Sequence, residues 1–143
     1  TLPNPGLCLD IGCGENPIYP ITIKMDIDRT VKPDVCADAT HLPFRNGSLN
    51  GVFCLEVLEH ISDHQHFYRE ASRVLKKGGK LVITSPIDCL AWRAIWLVWS
   101  HTLGRKWLNM HSTPFNPAEM AQTFKVSTRK KVNLFLHLVV GNA

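Results

Sequence analysis

A short apolar run, a helical segment and a second apolar run follow one another between residues 51 and 84, and this order strongly limits the possible folds. The two runs, residues 51–55 and 80–84, have the length and composition of buried strands. A strand, a helix and a strand in this order form a parallel crossover, which is almost always right-handed. The sequence therefore predicts an α/β fold with a mostly parallel sheet.

The helix between these strands has a start signal, an apolar face and a stop signal. Ser62 and Gln65 match a capping box, which predicts that the helix begins just after Ser62. The basic residues and glycines at positions 76–79 predict its last turn and its end. The apolar face recurs at helical spacing and consists of Phe67, Ala71, Val74 and Leu75.

Three further apolar runs, at residues 7–11, 21–27 and 34–37, predict strands near the start of the chain. Only nine residues, 12–20, separate the first two runs, whereas a crossover usually needs about a dozen or more. About six residues separate the second and third strands, which leaves no room for a helix. We therefore expect a doubly wound, Rossmann-like sheet with trimmed helices between its first three strands.

The last part of the sequence predicts a short helix and one more strand. Asn116, Pro117 and Glu119 provide an N-cap, a first-turn proline and a capping acid for a helix that runs to about Phe124. Apolar and polar residues then alternate over positions 132–140. We expect this segment to form a single strand, antiparallel at the far side of the sheet.

Composition favours one globular domain. The 143 residues are 45% hydrophobic and 20% charged, which excludes a disordered chain. No charged-then-apolar leader opens the sequence, and no apolar run reaches the roughly 18 residues of a transmembrane segment. We expect a cytoplasmic protein with free thiols, because the widely spaced cysteines include no Cys-x-x-Cys pair. They are Cys8, Cys13, Cys36, Cys54 and Cys89.

Charge is distributed unevenly along the chain. Residues 1–72 carry 10 acidic and 5 basic side chains, whereas residues 73–143 carry 2 and 11, so the halves have net charges of −5 and +9. The basic second half suggests an anionic partner, although solvated lysines on loops and helix ends explain it equally well. The sequence carries no firm nucleic-acid signal.

Acidic residues and glycines mark the ends of the first three predicted strands. Asp10, Gly12 and Gly14 follow the first strand, Asp26 ends the second and Asp38 follows the third. Ligands of open α/β sheets bind outside the carboxyl ends of the strands. Taken singly, the glycines can form a plain tight turn, and the acids can be helix caps or solvated loop residues. Their order and spacing together favour one ligand site at this edge.

The same stretches resemble the class I S-adenosylmethionine-dependent methyltransferases. Residues 9–14, Leu-Asp-Ile-Gly-Cys-Gly, are similar to the first motif of that family. Residues 38–49 and 54–60 resemble its type 11 branch, and the similarity continues through residues 73–79 to Pro86. The resemblance implies a small methyltransferase that uses S-adenosylmethionine.

The resemblance also implies which residues bind the cofactor. The turn from Gly12 to Gly14 would pass under its methionine part, Asp26 would hold the ribose, and Asp38 would face the adenine amino group. Carbonyl groups near Leu55 would receive its ammonium. The full implied set is Asp10, Gly12, Cys13, Gly14, Asp26, Ile27, Asp38, Ala39, Leu42, Leu55 and Glu56.

Two departures from the family pattern suggest an open cofactor pocket. Asn16 and Pro17 stand where many members have a third glycine, and the links between the first strands are short. On this basis we expect one methyltransferase domain over residues 1–143. Residues 1–86 would form its cofactor-binding half and residues 87–143 its substrate-facing half.

No obligatory catalytic residue is expected, because the cofactor's sulfonium already makes the methyl group electrophilic. If the acceptor is a hydroxyl or phenol, Glu59 and His60 are the nearest candidates for a base. Both also have plain structural interpretations, as a helix-start acid and a rim histidine. No metal is expected, since His60, His64 and His66 have neither a cysteine partner nor a second cluster.

The acceptor has to be inferred from the second half of the chain. A predicted helical stripe of four tryptophans and a leucine could pack over the core, cover an apolar acceptor or touch a membrane surface. The leading hypothesis is methyl transfer to a small-molecule or lipid-like acceptor. Methylation of RNA or protein and a non-catalytic cofactor-binding or scaffold subunit are the alternatives. The stripe consists of Trp92, Trp96, Trp99, Leu103 and Trp107, and the basic residues that favour RNA or protein are Lys125, Arg129, Lys130 and Lys131.

Overall fold

A single seven-stranded sheet organises the computed structural model, which describes residues 6–15, 22–86, 116–133 and 136–143. The strand order is β3-β2-β1-β4-β5-β7-β6. The first five strands pair in parallel, whereas β7 is antiparallel to both β5 and β6. The doubly wound, mostly parallel sheet is thus confirmed, and its order reverses between β1 and β4. The strands are β1 (Cys8–Ile11), β2 (Thr22–Asp26), β3 (Val35–Cys36), β4 (Leu49–Leu55), β5 (Leu75–Pro86), β6 (Lys125–Asn133) and β7 (Leu136–Asn142).

One face of the sheet carries the hydrophobic core. Laterally paired residues of neighbouring strands share a face, so rows of apolar side chains run across β1, β4 and β5. Helix α1 (His64–Val74) covers these rows and buries one side of its own surface. Each large apolar side chain buried there contributes roughly 1.5–3 kcal/mol. The rows consist of Leu9, Val52 and Leu81 and of Ile11, Cys54 and Ile83; the buried residues of α1 include Phe67, Tyr68, Ala71 and Val74.

The boundaries of α1 differ from the sequence prediction at both ends. Asp63, not Ser62, caps the helix, because its side chain accepts a hydrogen bond from the backbone N–H of His66 at 2.9 Å. The helix ends at Val74, since Leu75 is already extended and pairs with β4. The basic and glycine residues at 76–79 therefore belong to β5 and do not stop the helix.

The links between the early strands are short. A 3₁₀-helix of three residues, Arg29–Val31, lies between β2 and β3. The prediction that no helix fits there is wrong by this one turn, which needs only three residues. Residues 37–48, between β3 and β4, contain no helix. Positions 16–21 of the first link lie outside the described residues.

The C-terminal prediction is correct in its start signal and wrong in its arrangement. Helix α2 (Pro117–Met120) begins as expected, with the Asn116 side chain accepting from the N–H of Ala118 at 3.0 Å. It is shorter than predicted, because residues 121–123 form turns. The single expected strand is a pair, β6 and β7, and β7 lies inside the sheet. Exposed basic residues along β6 suit an edge strand, whereas Val139 of β7 is buried.

The predicted tryptophan stripe lies outside the described residues. Within the described ranges, no helix combines the length and the apolar character that crossing a membrane requires.

Candidate functional site

A cavity of about 390 Å³ opens at the carboxyl ends of β1, β2 and β3, beside the segment that follows β4. Ligands of doubly wound sheets bind at this edge, near the point where strand order reverses. His60, a candidate base, lines the cavity. The predicted cofactor residues that line it are Gly12, Asp26, Ile27, Asp38 and Ala39.

The glycine turn after β1 is fastened to β2. The backbone N–H groups of Gly12 and Cys13 both donate to the carbonyl of Met25, at 2.8 and 3.2 Å. Gly12 has a left-handed backbone (φ 67°), and a β-carbon there would collide with Cγ2 of Val57. Gly14 is also left-handed (φ 50°), but a β-carbon there would meet no atom of the described residues within 4 Å. Among the described residues, the turn therefore packs tightly at its first glycine and loosely at its second.

Asp26, the last residue of β2, holds this turn in place. Its Oδ2 accepts a hydrogen bond from the N–H of Gly14 at 3.0 Å, and its Oδ1 accepts one from the N–H of Asp28 at 2.9 Å. Each carboxylate oxygen can accept a second hydrogen bond. Ile27, the next residue, is 71% exposed on the cavity rim, although it is a large apolar side chain.

Asp38 is ordered by its neighbour Thr40. The backbone N–H and the hydroxyl of Thr40 both donate to Oδ1 of Asp38, each at 2.8 Å. These hydrogen bonds lower the pKa of Asp38, so the carboxylate is ionised at neutral pH. No described residue donates to Oδ2. Asp38 therefore offers the cavity a fixed carboxylate with one oxygen available.

Six of the predicted cofactor residues do not line the cavity. Glu56 is exposed directly after β4 and has a left-handed backbone (φ 57°), a strained conformation for a residue with a β-carbon. Cys13 is buried, and burial raises the pKa of its thiol. The six residues are Asp10, Cys13, Gly14, Leu42, Leu55 and Glu56.

The two candidate bases have different environments. His60 is exposed at the cavity, whereas Glu59 is 7% exposed and does not line it. Oε2 of Glu59 has no hydrogen-bond partner among the described residues, and burial raises the pKa of this carboxyl group. Geometry therefore favours His60 for contact with a ligand.

The other nearby histidines have structural contacts. His64 is buried, lies 2.9 Å from the carbonyl of Leu58 through Nε2, and lies 3.4 Å from Oε2 of Glu119 through Nδ1. His66 packs its ring against that of His41, with centroids 4.9 Å apart. Across the described parts of the chain, no three His, Cys, Asp or Glu side chains form a group that could hold a metal ion.

Sequence reasoning missed several residues that shape the cavity. The contact of Val57 with Gly12 joins segments 45 positions apart, and no local pattern marks it. The ring pair of His41 and His66 also joins distant segments. The missed lining residues are Ile11, Met25, Ala37, Thr40, His41, Val57, Ile61, Ser62, Asp63 and His66.

The fold is similar to those of solved structures. A structure described as an S-adenosylmethionine-dependent methyltransferase from Archaeoglobus fulgidus superimposes with a TM-score of 0.73 at 16% sequence identity. The match covers 96% of this chain and 86% of that one. The fold is thus Rossmann-like.

The family follows from the sequence match. The model of the methyltransferase domain family matches residues 9–83, more than half of the chain. The chain therefore belongs to the class I S-adenosylmethionine-dependent methyltransferases, in their type 11 branch. The cofactor of this family is S-adenosylmethionine.

Two curated relatives are longer than this chain. An uncharacterised protein from Methanocaldococcus jannaschii is 34% identical over 89 residues, a match that covers 54% of this chain and 39% of that protein. The 27-O-demethylrifamycin SV methyltransferase of Amycolatopsis mediterranei is 34% identical over 99 residues, covering 52% of this chain and 36% of that enzyme. The chain thus spans less than two fifths of the length of either relative.

Proposed function

We propose that this chain binds S-adenosylmethionine in the cavity and transfers its methyl group to a small-molecule or lipid-like acceptor. The observation that carries the proposal is the meeting of Gly12, Asp26 and Asp38, from three strand ends, around one cavity. Under this proposal the chain is one domain, with residues 1–86 binding the cofactor and 87–143 facing the acceptor.

The residues present fit this cofactor. The turn that begins at Gly12 would pass under the methionine part at the cavity, and the spare acceptor positions of Asp26 would take the ribose hydroxyls. The exposed side chain of Ile27 offers an apolar surface to the adenine ring. The available oxygen of Asp38 would accept from the adenine amino group, with the Ala39 N–H beside it. We further propose that Asp10, Cys13, Leu42, Leu55 and Glu56 shape the site from behind or at its rim.

Methyl transfer depends more on how the acceptor is positioned than on a catalytic side chain. When bound, the cofactor supplies an electrophilic methyl group on its sulfonium. The chain has to hold an acceptor atom in line with the sulfur–methyl bond and keep water away from it. If the acceptor is a hydroxyl, His60 at the cavity would accept its proton, and Glu59 is the weaker candidate because it is buried away from the cavity.

The acceptor class is supported by one relative. The Amycolatopsis enzyme is named for a small molecule, 27-O-demethylrifamycin SV. Its similarity to this chain, 34% over 99 residues, favours a small acceptor here too. We also propose a cytoplasmic location, in keeping with the free thiols of Cys8, Cys13, Cys36 and Cys54, and a membrane surface as an alternative site of action.

Calorimetric titration tests the cofactor site. The native chain should bind S-adenosylhomocysteine, and Asp26→Ala should weaken binding by about tenfold or more, because it removes the proposed ribose acceptor. Asp34→Ala is a matched control, since this exposed carboxylate accepts from Lys24 outside the cavity. Unchanged affinity in Asp26→Ala would refute the ribose assignment. No binding by the folded native chain would favour the scaffold alternative.

Transfer of a labelled methyl group from S-adenosylmethionine tests the acceptor class. A panel of small hydroxylated and lipid-like compounds should include labelled products, whereas RNA and protein should stay unlabelled. Labelling confined to RNA or protein would refute the proposed acceptor class.

An RNA or protein acceptor is the second candidate, and β6 favours it. Lys125, Arg129, Lys130 and Lys131 are exposed on this edge strand, and their side chains form no ion pair with any described residue. RNA bound through these groups would lose affinity steeply as salt rises. Changing Arg129 and Lys131 to glutamine should reduce that salt dependence. An RNA affinity that does not change with salt concentration would contradict an RNA acceptor bound through β6.

A further inference from the structure

The loop that forms one wall of the cavity is held by two side chains that lie outside the cavity. This loop, residues 37–48, connects β3 to β4, and its residues 37–41 line the cavity. At the next position, the Leu42 N–H donates to Oε2 of Glu70 and the Leu42 carbonyl accepts from Nη2 of Arg73, both at 2.8 Å. The wall is thus fastened to α1 directly after its last cavity-lining residue.

All the N–H donors of the Arg73 side chain form hydrogen bonds to Glu70 and to the loop. Its Nε and Nη2 donate to the two carboxylate oxygens of Glu70, at 2.7 and 2.8 Å. Its Nη1 donates to the carbonyl of Phe44 and to Oδ1 of Asn46, both at 2.8 Å. With the bond to Leu42, these contacts occupy all five N–H groups of a guanidinium. A lysine has three donors in another geometry and cannot reproduce them.

The pair is rigid and charged. The side chains are partly buried, with 32% of Arg73 and 17% of Glu70 exposed. The hydrogen bonds from Arg73 lower the pKa of Glu70, so both partners are ionised at neutral pH. Bidentate, charge-assisted hydrogen bonds of this kind fix geometry more firmly than an ordinary surface ion pair.

We infer that the Glu70–Arg73 pair positions the adenine-facing wall of the cavity and so sets the preference for an adenine base, without touching the cofactor. The inference rests on the proposed function. Asp38 lies four residues before Leu42, and its carbonyl accepts from the N–H of His41 at 2.9 Å. Clamping Leu42 therefore limits where the available oxygen of Asp38 can stand. Neither member of the pair lines the cavity.

The test compares two ligands that differ at the purine. S-adenosylhomocysteine carries a 6-amino group that a carboxylate can accept from, whereas S-inosylhomocysteine carries an oxygen there. Calorimetry on the native chain should show a clear preference for the adenosyl ligand. Arg73→Lys should weaken the adenosyl ligand about tenfold and the inosyl ligand much less, so that the ratio of the two affinities falls. Arg69→Lys is the matched control: Arg69 is exposed on the same helix, and its side chain makes no hydrogen bond within the described residues.

A second measurement needs no ligand. Hydrogen exchange of the Leu42 amide should become about tenfold faster in Arg73→Lys, whereas the amides of β4 should keep their native rates. Glu70→Gln keeps an oxygen for the Leu42 N–H but loses the bidentate pair, so it should show smaller changes in the same direction. If Arg73→Lys does not fold, Glu70→Gln serves as the test variant in both measurements.

Two results would overturn the inference. One is an unchanged affinity for both ligands in a folded Arg73→Lys or Glu70→Gln variant; the other is an equal-fold loss for both ligands, which would indicate a general structural role. If native chain, variants and control all fail to bind either ligand, the proposed function is wrong, and the positioning role falls with it.

Discussion

The backbone N–H of Gly14 lies 3.0 Å from Oδ2 of Asp26, and this hydrogen bond joins the turn after β1 to the end of β2. The other oxygen of the same carboxylate accepts from the N–H of Asp28. One side chain therefore orders the chain on both sides of the cavity edge before any ligand arrives.

We predict that Asp26→Ala loosens this edge in the ligand-free protein. Loss of two hydrogen bonds to a carboxylate should reduce the free energy of unfolding by about 1–3 kcal/mol. The amides of Gly14 and Asp28 should exchange faster with solvent, as nuclear magnetic resonance would show. Asp34→Ala should leave the Gly14 amide unchanged; equal exchange at Gly14 in both variants would contradict the anchoring role.

Gly12 and Val57 should behave as a coupled pair. Gly12→Ala places a β-carbon against Cγ2 of Val57 and forces a left-handed backbone, so it should cost about 1–3 kcal/mol in urea unfolding. Adding Val57→Ala should recover the part due to the collision. Gly14→Ala should cost about 1–2 kcal/mol from backbone strain alone, because no atom of the described residues lies within 4 Å of the added β-carbon. Strict additivity of Gly12→Ala and Val57→Ala would show that the contact is not tight.

Two neighbouring residues at the start of α1, Ser62 and Asp63, should differ in how much they contribute to stability. Asp63→Ala removes the side chain that caps the His66 N–H and should cost about 1 kcal/mol. Ser62→Ala should change the unfolding free energy by no more than about 0.5 kcal/mol, since Ser62 is exposed and does not cap the helix. Thermal or urea unfolding of both variants measures the difference. A larger loss of stability in Ser62→Ala than in Asp63→Ala would instead support the capping box predicted from Ser62 and Gln65.

Glu59 should make the stability of the protein depend on pH. Burial raises its pKa in the folded state, so the folded protein binds a proton at this group more readily than the unfolded chain does. Its contribution is therefore complete below the unfolded pKa and is lost as pH rises through the folded pKa. Glu59→Gln, which stays neutral, should be more stable than the native chain at pH 8 and should lose that advantage at pH 4. A pH-independent difference in urea unfolding would contradict this.

Much of the sheet could be predicted because its information is local. The runs at 7–11 and 51–55 are apolar strands of ordinary length, and the short links between early strands exclude long helices. The acids at strand ends could be placed on one edge, because carboxyl ends of parallel strands meet there. Gly12, Asp26 and Asp38 do line one cavity.

The remaining features depend on contacts that local patterns do not encode. Ser62 and Asp63 are both good capping residues, and the choice between them depends on how the preceding 3₁₀-helix, Leu58–His60, delivers the chain. The inner position of β7 depends on its pairing with β5, whose residues lie 50 to 62 positions earlier in the chain. The carbonyl partners of Arg73 lie about 30 positions away, so its spacing to Glu70 indicates a helical ion pair and no more.

The place of β7 constrains the order of assembly. Among the described strands β6 pairs only with β7, so it has no described strand to join until β7 has emerged from the ribosome. The five parallel strands can associate earlier, and β5 then presents an unpaired edge that invites association with other chains. The paired strands β6 and β7 therefore join the sheet together and cover the edge of β5. The exposed basic residues of the outer strand, β6, disfavour the addition of a further strand.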